Sequence, residues 1–394
     1  MLLSNTSAMD PPPFLPVAEP DLSVREEEAV LDAVRSGWVS SLGRYIDEFE
    51  DSFATFCEVP YAVSVSNGTT ALHLLQVAKG IGPTDEVIVP SLTFVATAAA
   101  VRHAGATPVF VDCDPILGTL DVKAVARAIT EKTRAIIAVH LYGHPVDMQP
   151  LRALADKHGL FLIEDAAEAH GARCRGARVG SLGHAATFSF YGNKILTTGE
   201  GGMIVTDDPA LDARLRFLRD HAMDKTRRYW HPEIGFNYRM TNLQAALGTV
   251  QLSRYDEITA RRQTVLDRYR QGVLTSRFGI SFNPSASWAN PVPWLVTAVL
   301  PEALASHRKE IRHSMRVYGV DTRPFFIPMH LMPPYANFRR VAADGSDQLV
   351  ATEALAARGL NLPSSGNLTT ADIERVAEVF EAATKKIATH SKQA

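Results

Sequence analysis

One lysine stands alone in the run FSFYGNKILTTGEGG, residues 188–202. Lys194 meets no other charge until Glu200, and Thr197 to Gly202 are small apart from that glutamate. An amine in such surroundings suits covalent work. It condenses with a carbonyl to form a Schiff base, and pyridoxal 5′-phosphate is the carbonyl cofactor that lysines serve in this way. A surface lysine ahead of a turn is the plain alternative. That cofactor also needs a phosphate cradle, a carboxylate for its ring nitrogen and a lid on its ring face.

The cradle reading falls on VSVSNGTTALHLL. A strand ends at Ser66, Asn67-Gly68 makes a tight turn, and Thr69 and Thr70 open a helix. The free N–H groups and positive dipole end of such a helix attract a phosphate without a basic side chain. Read alone, NGTT is an ordinary helix cap. Asp165, in FLIEDAAEAHGA, closes an apolar strand, where the ligand clefts of open α/β sheets form. An acid there keeps a pyridine nitrogen protonated and the ring electron-poor; Glu164 beside it is the other acid open to that role. Phe94, in VPSLTF, is placed to stack on a ring or to fill a core. Ser189 adds a hydroxyl to the cradle if the chain loops back after its strand. His140 and His144 lie on a strand-to-loop segment without a cysteine partner and read as structural, so no metal is expected.

Other chemistries lack their signatures. Neither GxGxxG nor GxxxxGK[ST] occurs, which leaves nicotinamide and ATP binding without support. The net charge is −3, with 21% charged and 46% hydrophobic residues, so no basic field favours nucleic acid or an anionic membrane. Three widely spaced cysteines (Cys57, Cys113, Cys174) fit neither a disulfide framework nor a zinc site. The opening MLLSNTSAMDPPPF has no basic segment followed by an apolar run, so a soluble, cytoplasmic protein is expected.

The elements that must hold these residues follow from periodicity. Residues 24–36 carry helical spacing and stop at Gly37. From Tyr61 onward, short β-branched runs (YAVSVS, EVIVP, TPVFVD, RAIIAVHLYG, LFLIED, ATFSF, GGMIVTDD) alternate with helical stretches. That alternation predicts an α/β fold, a mostly parallel sheet covered by helices, with a smaller C-terminal α/β domain. The expected division is a flexible leader over 1–15, a large cofactor-binding domain over 16–260 and a small domain over 261–394. The boundary falls inside one long helical stretch starting at Asn242, and the last ten residues read as a polar tail.

The chain resembles the fold-type I, pyridoxal-phosphate-dependent aminotransferases of the DegT/DnrJ/EryC1/StrS family, which act on nucleotide-linked sugars. The likeness runs from about Pro16 to about Phe380. SFYGNKILTTGEGGM is similar to the family's Ser-Phe-x-x-x-Lys-x-x-x-x-Gly-Glu-Gly-Gly signature. The resemblance implies that Lys194 is the Schiff-base lysine, Ser189 a phosphate ligand, Gly68 and Thr69 the phosphate-binding pair, Asp165 the ring-nitrogen acid and Phe94 the stacking aromatic. Glu168, where many members carry glutamine in an EDAAQ run, joins the implied cofactor-binding set. Asn237, in GFNYRMTNLQAALG, inherits a reach to the neighbouring subunit's phosphate, which implies a homodimer with shared sites.

Stretches such as RRYWHPEIGFNYRMTN and TRPFFIPMHLMPPYA look closest to members that aminate a 4-keto-6-deoxy sugar, although Ile327 replaces the Tyr expected before Pro-Met-His. The implied reaction moves an amino group from L-glutamate, leaving 2-oxoglutarate, to a nucleotide-linked 4-keto-6-deoxy sugar. Arg228 and Tyr229 are then candidates for gripping the diphosphate–nucleotide, and His330 for touching the sugar. An aminotransferase for another nucleotide-linked ketosugar and a non-catalytic cofactor-binding regulator are the alternatives. Related sugar dehydratases carry histidine in place of the lysine, and Lys194 is present.

Overall fold

The computed structural model describes residues 13–390. Its centre is an eight-stranded sheet built from β1 (Tyr61–Val65), β2 (Glu86–Pro90), β3 (Thr107–Val111), β4 (Thr133–Val139), β5 (Phe161–Asp165), β6 (Ala185–Ser189), β7 (Gly202–Thr206) and β8 (Arg340–Val341). The spatial order is β1-β7-β6-β5-β4-β2-β3-β8. Every pairing from β8 across to β6 is parallel, while β7 runs antiparallel to β6 and β1. The reversal has a local cause: β6 and β7 are neighbours joined directly, without the crossover that a parallel pair needs. The segment carrying Lys194 is that direct connection.

Helices α1 (Val24–Arg35), α2 (Arg44–Phe56), α3 (Gly68–Ala78), α4 (Val95–His103), α5 (Val122–Ala128), α6 (Met148–His158) and α7 (Pro209–Arg219) accompany the sheet. Successive residues of a strand face opposite ways, and the two faces find different partners. Ile88, Val109, Ile136 and Leu162 pack with Val125 of α5 and Leu151 of α6. Val87, Val89, Ile137 and Ile163 join the larger cluster with Phe49 and Phe53 of α2 and Leu74 and Leu75 of α3. Each such fully buried aliphatic or phenyl side chain contributes about 1.5–3 kcal/mol. Helix α1 stops as expected: Ser36 caps it and Gly37 takes a φ of 78°.

The long helical stretch is two helices, α8 (Asn242–Ser253) and α9 (Tyr255–Gln271). Arg254 leaves helical geometry at the joint (φ −101°, ψ 7°). Its guanidinium is fixed there by Asp21, Glu26 and Glu257. Helix α9 serves two cores, Ile258 in the large cluster and Val265, Leu266 and Tyr269 in a second one. That second cluster lies on a four-stranded antiparallel sheet of Ser281–Phe282, Val296–Val299, Gly359–Leu362 and Arg323–Pro324. It also takes Val376 and Phe380 from the helix Thr370–His390, which continues through most of the stretch read as a polar tail. The C-terminal part is not self-contained: Arg340–Val341 supply β8, and Trp294, Phe325, Met329 and Tyr335 pack into the large cluster. Residues 1–12 of the expected leader lie outside the described residues, whereas Leu15 is buried and bridges to Val320.

Candidate active site

The carboxyl ends of β1, β2, β5 and β6 border a cavity of about 720 Å³. Gly68, Thr69, Phe94, Asp165, Glu168, Ser189 and Lys194 all line it. The topology brings seven residues, spread over more than a hundred positions, to one place.

Helix α3 opens at this cavity. Asn67 caps it by accepting from the Thr70 N–H at 2.9 Å, and the Thr70 hydroxyl accepts in turn from the Asn67 N–H at 3.2 Å. The N–H groups of Gly68 and Thr69 precede the first intrahelical bond and remain available as donors. Strand register pairs Val65 and Ser189 with Gly202 on either side of β7. A Cβ on Gly202 would sit 2.6 Å from the Asn67 carbonyl carbon, and one on Gly68 2.9 Å from the Ser189 Cβ. Close approach without side chains therefore shapes an anion cradle of backbone N–H groups and hydroxyls.

Asp165 ends β5 with its carboxylate inside the cavity wall. Thr97 donates to Oδ2 at 2.8 Å, the Ala167 N–H donates to Oδ1 at 3.3 Å, and Thr93 lies 2.9 Å from Thr97, hydroxyl to hydroxyl. Burial raises the Asp165 pKa, and those hydrogen bonds work against the rise. Glu164, one residue earlier, faces the other side of the strand. Its oxygens accept from the N–H groups of Gly180, Leu182 and Gly183 and contact His140 Nε2 at 2.9 Å, so it is a structural tie and not the cavity acid. Both expected structural histidines are of that kind, since His144 bonds the Pro145 carbonyl and the Ala286 N–H.

The loop between β6 and β7 explains its small residues. The Phe190 carbonyl accepts from the Thr198 N–H and the Thr197 hydroxyl, while the Thr198 hydroxyl donates to the Glu200 carbonyl at 2.6 Å. Gly199 takes a φ of 78° within this turn. The folded-back chain sets Lys194 in the cavity with only 11% of its side chain exposed. Its Nζ lies 3.9 Å from Glu168 Oε1 and 4.0 Å from the centre of the Trp294 ring. Burial pulls the lysine pKa below its ordinary value, against the opposing pull of Glu168 and Asp165. Burial likewise pushes Glu168 up to about 7, although Lys194 favours its charged form.

An amine whose pKa burial lowers, a buried acid at the cavity wall and an anion cradle together fit pyridoxal phosphate. Phe94 caps α4 with 53% of its surface exposed and its ring 5.7 Å from that of Phe326, as a ring lid requires.

The remaining expected residues stand apart from this chain's cavity. Asn237 is exposed on the segment bridging to Asp220, and Arg228 and Tyr229 are exposed on the loop before it. His330 is buried, with Nδ1 2.7 Å from the Ser91 hydroxyl and Nε2 3.0 Å from Glu353, so neither ring nitrogen is free for a sugar. Sequence reasoning passed over Trp294, Tyr142, Arg323 and Thr97. Only Thr97 left a signal, a second hydroxyl four residues beyond Thr93, which stands just before helix α4. Among the described residues no cluster of His, Cys, Asp and Glu could hold a metal ion, and no helix is long and apolar enough to cross a membrane.

The profile of the DegT/DnrJ/EryC1/StrS aminotransferase family matches residues 20–381. GDP-perosamine synthase of Caulobacter vibrioides is 49% identical over 364 residues, covering 92% of this chain and 96% of that protein. The solved structure of Streptomyces venezuelae DesV superposes with a TM-score of 0.85 at 39% identity, covering 94% of this chain and all but 1% of its own. Spr1654 of Streptococcus pneumoniae, solved in its PMP form, reaches 0.89 at 28% identity, covering 96% of this chain and 100% of its own. A sugar aminotransferase architecture thus surrounds the lysine, the acid and the cradle, and the chain belongs to the DegT/DnrJ/EryC1/StrS aminotransferase family.

Proposed function

We propose that this sugar aminotransferase uses pyridoxal 5′-phosphate to move an amino group from L-glutamate to the C4 carbonyl of a GDP-linked 4-keto-6-deoxy sugar, as a GDP-perosamine synthase would. The observation that carries the reading is the 49% identity to such a synthase over 92% of the chain.

When bound, pyridoxal phosphate supplies an electron sink for the carbon that bears the migrating nitrogen. The chain's residues do the rest. The N–H groups of Gly68 and Thr69 and the Ser189 hydroxyl hold the phosphate. Asp165 holds a proton on the ring nitrogen, and Phe94 covers one ring face. Lys194 Nζ would anchor the cofactor and would move the proton at the carbon that bears the migrating nitrogen, work that suits an amine with a lowered pKa. Trp294, with its ring centre 4.0 Å from Nζ, keeps water from that amine.

Exposed Asn237, which does not line its own chain's cavity, supports a homodimer in which it reaches the partner's cradle. Arg228 and Tyr229, on the same exposed loop region, are then placed to grip the diphosphate and nucleotide across that interface. The second hydrophobic cluster supports a division near residue 260, with 292–295 and 325–356 returning to the large unit. A cytoplasmic location completes the reading.

The test is incubation of the purified protein with L-glutamate and a panel of GDP-, dTDP- and UDP-linked ketosugars, with mass spectrometry of the products. Amination of the GDP-linked 4-keto-6-deoxy sugar alone is expected. Turnover only with a dTDP- or UDP-linked sugar, or only at C3, would overturn it. Borohydride should fix the cofactor on Lys194, and a label found on Lys157 or Lys225 would refute the lysine assignment.

A further inference from the structure

Glu168 is a carboxylate with one oxygen committed and one open. Oε2 accepts from the Tyr142 N–H at 2.7 Å, and Oε1 faces Lys194 Nζ at 3.9 Å. Tyr142 reaches that position only by adopting left-handed backbone (φ 52°, ψ 24°), a costly conformation for an aromatic residue. Its ring then stacks on those of Phe326 and Trp294, at 5.3 and 6.1 Å between centres, and Trp294 closes over Lys194. One strained residue thus positions the carboxylate and supports the wall that dries the amine.

We infer that Glu168 is the proton partner of Lys194, taking the proton that the lysine ammonium must lose before it can act as a base and returning it afterwards. The exchange balances within the pair: Lys194–NH₃⁺ and Glu168–COO⁻ become Lys194–NH₂ and Glu168–COOH. A small rotation of the lysine side chain closes the remaining gap. Among the described residues Asp165 and His170 also interact electrostatically with Lys194, Arg262 acts in turn on the histidine, and Glu200, Arg323, Tyr191, Tyr238, His73 and His103 line the same cavity. Asp165 is the acid assigned to the ring nitrogen and is held by the Thr97 hydroxyl and the Ala167 N–H, and buried His170 has its pKa lowered to about 3, chiefly by burial, so the histidine does not compete for the proton near neutrality. Both members of the pair are shifted by burial toward their neutral forms, which keeps the proton mobile between them.

The catalytic meaning of this exchange rests on the aminotransferase reading, but its test does not. The full chain, freed of cofactor, is acylated with acetic anhydride across a pH series, and the modification of Lys194 is followed by peptide mass spectrometry. Glu168→Gln removes the anion but keeps an oxygen for the Tyr142 N–H. It should move the midpoint of Lys194 labelling to lower pH by about one to three pH units, the effect of losing an opposite charge at such a distance. Identical midpoints in the two proteins would overturn the proposal. As a second measurement, Lys194→Met should show an infrared band of a protonated carboxyl at neutral pH that vanishes when Glu168→Gln is added. A carboxylate that stays ionised in Lys194→Met would overturn it as well. Failure of the sugar panel leaves both readouts untouched, so the two readings can fail separately.

Discussion

Gly202→Ala should damage cofactor binding although residue 202 offers no functional group. The added Cβ would lie 2.6 Å from the carbonyl carbon and oxygen of Asn67 and 2.9 Å from the Gly68 nitrogen. All three are backbone atoms at the start of α3, so no flexible side chain can swing away. Strand β7 is paired on both sides, with Val65 and Ser189 opposite Gly202, and cannot retreat easily. The helix start must therefore move, and it carries the phosphate-binding N–H groups. Inserting one methyl into such packing costs about 1–3 kcal/mol. If that strain falls on the cradle, cofactor affinity drops roughly 5- to 150-fold, at about 1.4 kcal/mol per tenfold. Equilibrium dialysis of pyridoxal phosphate against the variant measures the drop. Gly192→Ala is the control: it lies two residues before Lys194, but its Cβ meets nothing closer than 3.9 Å, so affinity should stay near wild type. Unchanged affinity in Gly202→Ala, or equal losses in both variants, would refute a cradle shaped by this contact.

Asp165→Asn keeps an acceptor for the Thr97 hydroxyl and should fold, yet turnover should fall by about 10²- to 10³-fold, as for loss of one charge-stabilising group; near-normal steady-state rates would assign the task to another acid. Glu164→Gln should do the reverse, because its new NH₂ must face N–H donors where an oxygen accepted them. It should lose about 1–3 kcal/mol of stability by denaturant titration while the folded enzyme keeps its kcat, and a collapse of kcat in the folded variant would return Glu164 to the site. In the homodimer reading, Asn237→Ala co-expressed with Lys194→Ala should recover about a quarter of wild-type activity per site, since one site of each hybrid keeps both native residues. No recovery in preparations shown to contain hybrids would place both residues at the same chain's site.

How much of this was legible depends on where each residue's geometry comes from. Strands and helices of the large unit repeat every two or 3.6 residues, so their periodicity exposes them, and Asp165 and the NGTT turn are readable because they punctuate such elements. The antiparallel turn of β7 was less visible: a run like GGMIVT reads as a strand but says nothing of direction, which is set by the short route back from Ser189. The break at Arg254 was hidden for a similar reason. Its cause is a set of carboxylates, Asp21 and Glu26 above all, more than two hundred residues away in sequence. The folding-back of 292–295 and 325–356 onto the large core escaped in the same way, since long-range burial leaves no local period.

The choice between Glu164 and Asp165 shows where the two kinds of information meet. Sequence places both at the end of one strand and offers no way to rank them, since either acid could serve a ring nitrogen. Strand geometry says only that the two must face opposite sides. The ranking comes from what each side holds. One side carries three N–H donors from the loop at 180–183 and the His140 ring, which saturate a carboxylate. The other carries two threonine hydroxyls and an open cavity, and although Lys194 favours the charged carboxylate, burial still raises its pKa. A buried acid in that condition gains further from a cationic partner that enters the cavity. A protonated pyridine ring is such a partner, whereas the Glu164 oxygens are already taken by the loop N–H groups and His140.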